Sequence, residues 1–338
     1  MGSSDETRIV RLPDGASRKE AVNEGTRVAN LAHLLKDSAE EVFNSLHPQM
    51  AAIHSKIDRP GVIIFAASAR GLDGHLWLEA GPELRAGSIG RHGAADLYLP
   101  GDEQLSLRHL VVTTRASERG VHTRIIDLRT PAGFTDDHHK PLRAIEADGW
   151  VVVGMASYWL FVFVTGQPLP WDTSTRKPWR TLPQRVYVET QKARRRAPEA
   201  ASRLPRSNTE ITNITSVPGP VDTSIEPLLL PGEPVAARLM IHARGPGQHP
   251  LAISAASLAR GVILGRYSRC DGSALFTEST VSRVHALIIT DEDDMYLIDV
   301  GSTCGTWDGE QRLRAQLLTT GRELRLGEAV RLSWNPAH

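Results

Sequence analysis

The sequence predicts a mainly β protein, with two β-sandwich domains joined by a linker and preceded by an N-terminal helical segment. Three observations carry this. Short β-rich runs split by Gly, Pro and Asp fill residues 60–168 and return after residue 233. Three landmarks of the first region recur in the second at a near-constant offset. Between the two, residues 169–232 turn rich in Pro, Ser, Thr and Arg and lose their periodicity.

Residues 1–59 come first. Val28, Leu31, Leu35, Val42, Leu46, Met50, Ile53 and Ile57 recur at spacings of three, four or seven, which is one face of a helix. Pro48 is expected to break or restart that helix, and Arg59-Pro60-Gly61 to end it. The apolar face either packs on the first domain or mediates self-association through residues 25–58. Strands are then expected at Val62–Phe65, His75–Leu78, His109–Thr113, Thr123–Asp127, Trp150–Val153 and Tyr158–Val164. The linker at 169–232 is expected to be disordered or draped over a domain surface. It carries a basic run, Lys192 to Arg196, that reads as a solvated cluster. Its threonines Thr209, Thr212, Thr215 and Thr223 lie where a kinase could reach them. In the last region, 233–338, strands are expected at Ala236–Ile241, Gly261–Leu264, Val284–Ile289, Met295–Ile298 and Ala329–Ser333.

The repeat is specific in order. Gly90-Arg91 answers to Gly265-Arg266, Ser106-x-x-His109 to Ser282-x-x-His285, and Asp127 to Gly133 answers to Asp299 to Gly305. The offsets from Arg91, His109 and Gly133 are 175, 176 and 172 residues.

Composition narrows the function classes. A chain of 338 residues is long enough for two cores. Its 39 basic and 39 acidic residues cancel, so no global field draws it to nucleic acid or an anionic membrane, and any anion site is local. Residues 1–7 hold no apolar signal core, and no run approaches the ~20 apolar residues of a membrane span. Two cysteines, Cys270 and Cys304, form neither a disulfide framework nor a four-cysteine zinc site. A cytoplasmic setting is the expectation. His138-His139 after Asp136-Asp137 sits in a polar loop without a partner motif, so no metal is expected there. Phosphate loops, His-Glu-x-x-His and Cys-x-x-Cys are absent, and nothing points to catalysis or a cofactor.

Ser282, three residues before His285, could be a nucleophile with its base. No strained Gly-x-Ser-x-Gly turn surrounds it, however, and a histidine at the mouth of the apolar run Ala286–Ile289 can instead tie down a loop. Gly265-Arg266, Ser282-x-x-His285, Asp299-x-x-Ser-x-x-Gly305-Thr306 and the hairpin Gly321–Gly327 together resemble the forkhead-associated (FHA) domain. The resemblance covers most of residues 233–338 and, more weakly, residues 60–168. It implies an eleven-strand β-sandwich that binds phosphothreonine peptides through loops at one end, with Arg266, Ser282, Arg283, Thr303 and Cys304 at the peptide. It gives Gly265, His285 and Gly305 the task of shaping the loops. A guanidinium fork and a hydroxyl converging from a rigid scaffold suit a phosphate dianion.

Two departures stand out. Cys304 replaces the asparagine whose amide usually holds the peptide backbone. In the first region only Arg91, Ser106 and His109 survive, with Leu107, Ala132 and Phe134 at the other motif positions. The first region is therefore expected to fold as a degenerate FHA-like domain. Family geometry brings Cys270 near Cys304, either as two ordinary thiols or as a redox pair. The implied function is a phosphothreonine-binding adaptor, not an enzyme, with a phosphothreonine-containing partner and an upstream Ser/Thr protein kinase. The alternative is a phosphate-independent scaffold in a larger bacterial assembly.

Overall fold

The computed structural model describes residues 37–118, 120–190, 227–243 and 248–336. Four sheets stack in two sandwiches, and a helix caps one end of the stack.

In the first sandwich the outer sheet has the order Gly71–Glu79, Gly61–Ser68, Tyr158–Thr165, Val151–Met155, Phe134–Thr135, Pro141–Leu142. The inner sheet runs Tyr187–Glu189, Ala144–Ala147, Gly120–Asp127, Leu110–Ser117, Arg85–Gly90, Leu97–Tyr98. The second sandwich has an outer sheet of His249–Ser254, Val235–His242, Val330–Pro336, Glu323–Leu326, Thr306–Asp308 and Gln311–Leu313. Its inner sheet is Val262–Leu264, Ala286–Asp291, Asp294–Asp299 and Ala315–Leu317. Each segment read as a strand from the sequence lies in or overlaps one of these.

The period of two along each strand sets what lies between the layers. In Tyr158–Thr165, Tyr158, Leu160 and Val162 fill the first sandwich, while Trp159, Phe161 and Phe163 face out. That outward face is covered by the helix Ala39–His54, through Val42, Phe43, Leu46 and Met50. Ser38 and Glu41 form a capping box at its start. The His54 ring is hydrogen-bonded to Val164 O (2.8 Å), and Trp159 Nε1–H donates to Asp37 O (2.9 Å). One sequence expectation is corrected here. The helix runs through Pro48 unbroken, because Leu46 and Met50 on either side are buried against the same sheet and outweigh the lost hydrogen bond. Of the two readings of the apolar face, packing on the first domain describes residues 39 to 54, and residues 25–36 lie outside the described ones.

The linker also starts later than residue 169. Leu169, Trp171, Trp179 and Leu182 pack onto the outer sheet beside the helix, and Tyr187–Glu189 pairs with Ala144–Ala147 at the inner sheet's edge. These aromatic anchors make residues 169–190 a strap on the first sandwich. The basic run and the linker threonines lie outside the described residues.

The two inner sheets face each other. Val111, Ile126 and Leu128 of the first meet Ile263, Leu287, Ile289, Tyr296, Ile298 and Val300 of the second in one buried cluster. Their strand neighbours Val112, Ile125, Leu264 and Ile288 point the other way, into the two sandwich cores. Charges frame this apolar contact. Arg129 pairs with buried Asp271 (2.7 Å), Arg314 pairs with Asp96, and Arg115 reaches Asp291 (3.0 Å). Asp96 and Asp271 do the same local work, accepting the Ser88 and Ile263 amides at 2.8 Å each. Each sandwich thus presents an aspartate to an arginine of the other.

Candidate functional site

Three loops meet at one end of the second inner sheet: Gly265–Tyr267, Ser282–His285 and Gly301–Gly305. The first two are zipped by backbone. Arg266 N–H donates to Ser282 O (3.2 Å) and Tyr267 N–H to Arg283 O (2.9 Å). Gly265 is required for that approach, since a Cβ there would stand 2.3 Å from Arg283 O.

His285 is completely buried behind the loops. Its Nδ1 accepts the Ser282 amide (2.9 Å), so its Nε2 carries the hydrogen and donates to Gly305 O (3.1 Å). The ring is neutral. Burial pushes its pKa down to about 4, only partly opposed by Asp299. With both nitrogens committed to backbone and no reach to the Ser282 hydroxyl among these bonds, the ring is a loop strut and not a base for a serine nucleophile.

The third loop winds around Asp299. That carboxylate accepts the amides of Gly301 (2.9 Å) and Ser302 (2.7 Å) and the hydroxyls of Ser302 (2.5 Å) and Thr306 (2.8 Å). The winding aims Thr303 N–H at Ser282 Oγ (3.0 Å). Ser282 Oγ accepts from the loop, and its own hydrogen has no acceptor among the described residues. Arg266 holds Val281 O through Nε (2.5 Å) and leaves its outer nitrogens in solvent. Arg283 and Thr303 are exposed and Cys304 is half-buried. Neither Arg266 nor Arg283 has a carboxylate partner among the described residues. The result is a rigid surface on which the exposed guanidinium groups of Arg266 and Arg283, without carboxylate partners among the described residues, adjoin the Ser282 hydroxyl. Arg312, which the sequence reading passed over, adds a third cation by donating to Ser302 O (2.8 Å).

The cysteines stay apart in role. Cys270 is buried and donates Sγ–H to Arg283 O (3.1 Å), with burial raising its pKa to about 12; both cysteines are free thiols. In the polar loop of the first sandwich, Asp136 accepts the His138 (2.9 Å) and Lys140 (2.8 Å) amides and Asp137 pairs with Arg185. Asp136 is thus engaged by the turn and Asp137 by the strap.

The first sandwich repeats the hydrogen-bonded frame. Arg91 N–H donates to Ser106 O (3.1 Å), Arg91 Nε to Leu105 O (3.1 Å), Ser106 N–H to His109 Nδ1 (3.2 Å), and the His109 Nε2 side meets Gly133 O (2.7 Å). One difference in the loop bears directly on the serine. Pro131 stands where the second loop has Thr303, and proline has no N–H to hold the serine hydroxyl.

A further contact joins the sandwiches at the site. Arg108, nearly fully buried, donates through Nε (3.0 Å) and Nη2 (2.6 Å) to Gly301 O. Nothing in the local sequence marks this reach across 193 positions.

The family model for the FHA domain matches residues 262–327, and the chain carries one FHA domain there. No match was found among curated proteins. Among solved structures, the chain is similar to the Slr1951 protein from Synechocystis sp., at 20% identity over 30% of this chain and 99% of that one, with a TM-score of 0.26. The FHA domain of the CT664 protein from Chlamydia trachomatis matches at 17% identity, covering 30% and 99% with a TM-score of 0.27. Mycobacterium tuberculosis EmbR in complex with a low affinity phosphopeptide matches at 21% identity, covering 32% and 26% with a TM-score of 0.25. Among the described residues no helix is long and apolar enough to cross a membrane.

Proposed function

We propose that this chain is a phosphothreonine-binding adaptor that takes its ligand on the loops of the second sandwich. The observation that carries the reading is Ser282, whose oxygen accepts the Thr303 amide and whose hydroxyl hydrogen is uncommitted among the described residues, beside exposed Arg266 and Arg283. A phosphate dianion there would receive charge-assisted hydrogen bonds, worth ~1.5–3 kcal/mol each. The ligand is a threonine-phosphorylated segment of a partner protein, which places the chain downstream of a Ser/Thr kinase in the cytoplasm. Binding, not catalysis, is the activity.

The first sandwich is the degenerate member of a tandem pair. Pro131 and Ala132 remove the amide and the backbone-holding side chain, so it serves mainly as a platform for the second. Cys304 favours a second reading, a scaffold that docks proteins without phosphate, because a thiol cannot grip a peptide backbone in two places. Selection of the full chain against a phosphothreonine peptide library and its unphosphorylated twin separates the two. Enrichment of phosphorylated members, lost in Arg266→Ala, supports the adaptor; equal capture from both libraries supports the scaffold.

A further inference from the structure

The rim of the Ser282 site is built by both sandwiches. After the strand Arg85–Gly90, the first sandwich makes a tight turn in which Ala95 N–H donates to His92 O (2.8 Å) and Ala94 N–H to His92 Nδ1 (3.1 Å). That turn lies against the phosphate loop of the second sandwich: a Cβ on Gly301 would stand 2.9 Å from Ala94 O and 3.1 Å from Ser88 Oγ. Gly301 is two residues from Thr303, whose amide holds Ser282. Arg108 locks the contact through its two bonds to Gly301 O.

The turn carries a free donor. With Nδ1 accepting Ala94 N–H, neutral His92 keeps its hydrogen on Nε2, which has no hydrogen-bond partner among the described residues. Arg283, from the other sandwich, is exposed and unpaired among the described residues. These groups feel one another. Burial first, then the positive fields of Arg108 and Arg283, lower the His92 pKa, and Arg283 also lowers that of Arg108. Asp299 beneath them is already engaged by Gly301, Ser302 and Thr306. The His92 donor of one sandwich and the exposed Arg283 cation of the other therefore face the same junction above buried Arg108, with no counter-charge paired to His92 or Arg283 among the described residues. Such a focus of positive potential recruits an anion.

We propose that His92 and Arg283 form a second anion subsite at the junction, Arg283 being shared with the adjoining Ser282 site, and that the segment held at Arg266 and Ser282 carries a second phosphoryl group that docks there. This rests on the phosphothreonine reading and adds its specificity: the ligand is doubly phosphorylated. Arg108 is a positioning residue that fixes the two loops against each other.

The test uses the full chain and peptides with one phosphothreonine plus phosphoserine, glutamate or serine placed about two to five residues to either side, a range set by an extended reach of ~3.3 Å per residue. At one placement the phosphoserine peptide should bind about tenfold tighter than its serine counterpart, the gain of one charge-assisted contact. His92→Asn keeps an acceptor for Ala94 N–H and deletes the Nε2 donor, and that preference should shrink to within about twofold. Independently, the His92 ring resonances in NMR should shift with the doubly phosphorylated peptide and stay in place with the singly phosphorylated one. If singly phosphorylated peptide binds and no placement adds affinity, or the preference survives His92→Asn, the subsite is wrong and the phosphothreonine reading stands. Glutamate matching phosphoserine would overturn the phosphoryl assignment in favour of a carboxylate. Failure to bind any phosphopeptide would remove the phosphothreonine reading itself, and the subsite with it.

Discussion

Arg129→Met tests whether the two sandwiches behave as one body. Asp271 has a fully buried side chain, and Arg129 grips both its oxygens, Nη1 to Oδ1 at 2.9 Å and Nη2 to Oδ2 at 2.7 Å. Methionine keeps most of the aliphatic stem and deletes the charge. Breaking a buried pair on one side costs ~3–5 kcal/mol, because the other charge is left unpaired. Asp271 would retain the Ile263 amide (2.8 Å), and Arg129 is partly exposed, so the lower end applies and the loss should be about 3 kcal/mol. Arg59→Met is the control. Its pair with Glu79 is solvent-exposed on both sides, and it should cost less than about 1 kcal/mol. Urea unfolding of the full chain by tryptophan fluorescence reports both sandwiches, since Trp159 lies over the first and Trp334 in the second. Asp271→Asn added to Arg129→Met should recover part of the loss. An Arg129→Met variant no less stable than the Arg59→Met control would refute the reasoning that this interface carries a buried charge pair.

Three further outcomes follow from the loops. The neutral, buried His285 has a folded pKa of about 4, against ~6.5 unfolded, so the unfolded chain binds more protons between those values and stability falls as pH drops through that window. His109 is shifted in the same direction by burial. The loss from pH 7 to about 5.5 should be about 1 kcal/mol for His285 alone, seen as a lower Tm, and a flat profile there would contradict the neutral strut. Gly265→Ala places a methyl 2.3 Å from the Arg283 carbonyl, a backbone atom that cannot swing aside, and should reduce phosphopeptide binding at least tenfold by calorimetry. Arg91→Ala should change phosphopeptide affinity by less than about twofold while Arg266→Ala costs tenfold or more; comparable losses would mean that the first sandwich also reads phosphate.

The sandwich fold was legible because each strand carries its own local signal. The stacking of the sandwiches was written less openly. Runs such as Ala286–Ile289 are apolar at every position, the mark of a strand covered on both faces, with Ile288 turned to its own core and Leu287 to the other sandwich. The run says that something covers Leu287 and Ile289; only the tertiary structure says what. The site's own frame was readable at Gly265, Arg266, Ser282 and His285, since these lie at motif spacing. Arg108 and His92 were not, because their work is done on the far sandwich, where no spacing rule applies. In the strap, proline content masked the buried Trp171 and half-buried Trp179, whose bulk in a polar stretch was the available sign of docking. Pro48 misled for a related reason: a propensity rule yields to burial on both sides of it.

Calorimetric titration of the full chain with one peptide in three forms, phosphothreonine, phosphoserine and unmodified threonine, tests the central claim most directly. The account predicts saturable binding of the phosphothreonine form, weaker binding of the phosphoserine form and none of the unmodified one, with Arg266→Ala weakening the first by roughly tenfold to a hundredfold. Equal affinities for the phosphorylated and unmodified forms, or an Arg266→Ala variant that binds as the wild type does, would contradict it.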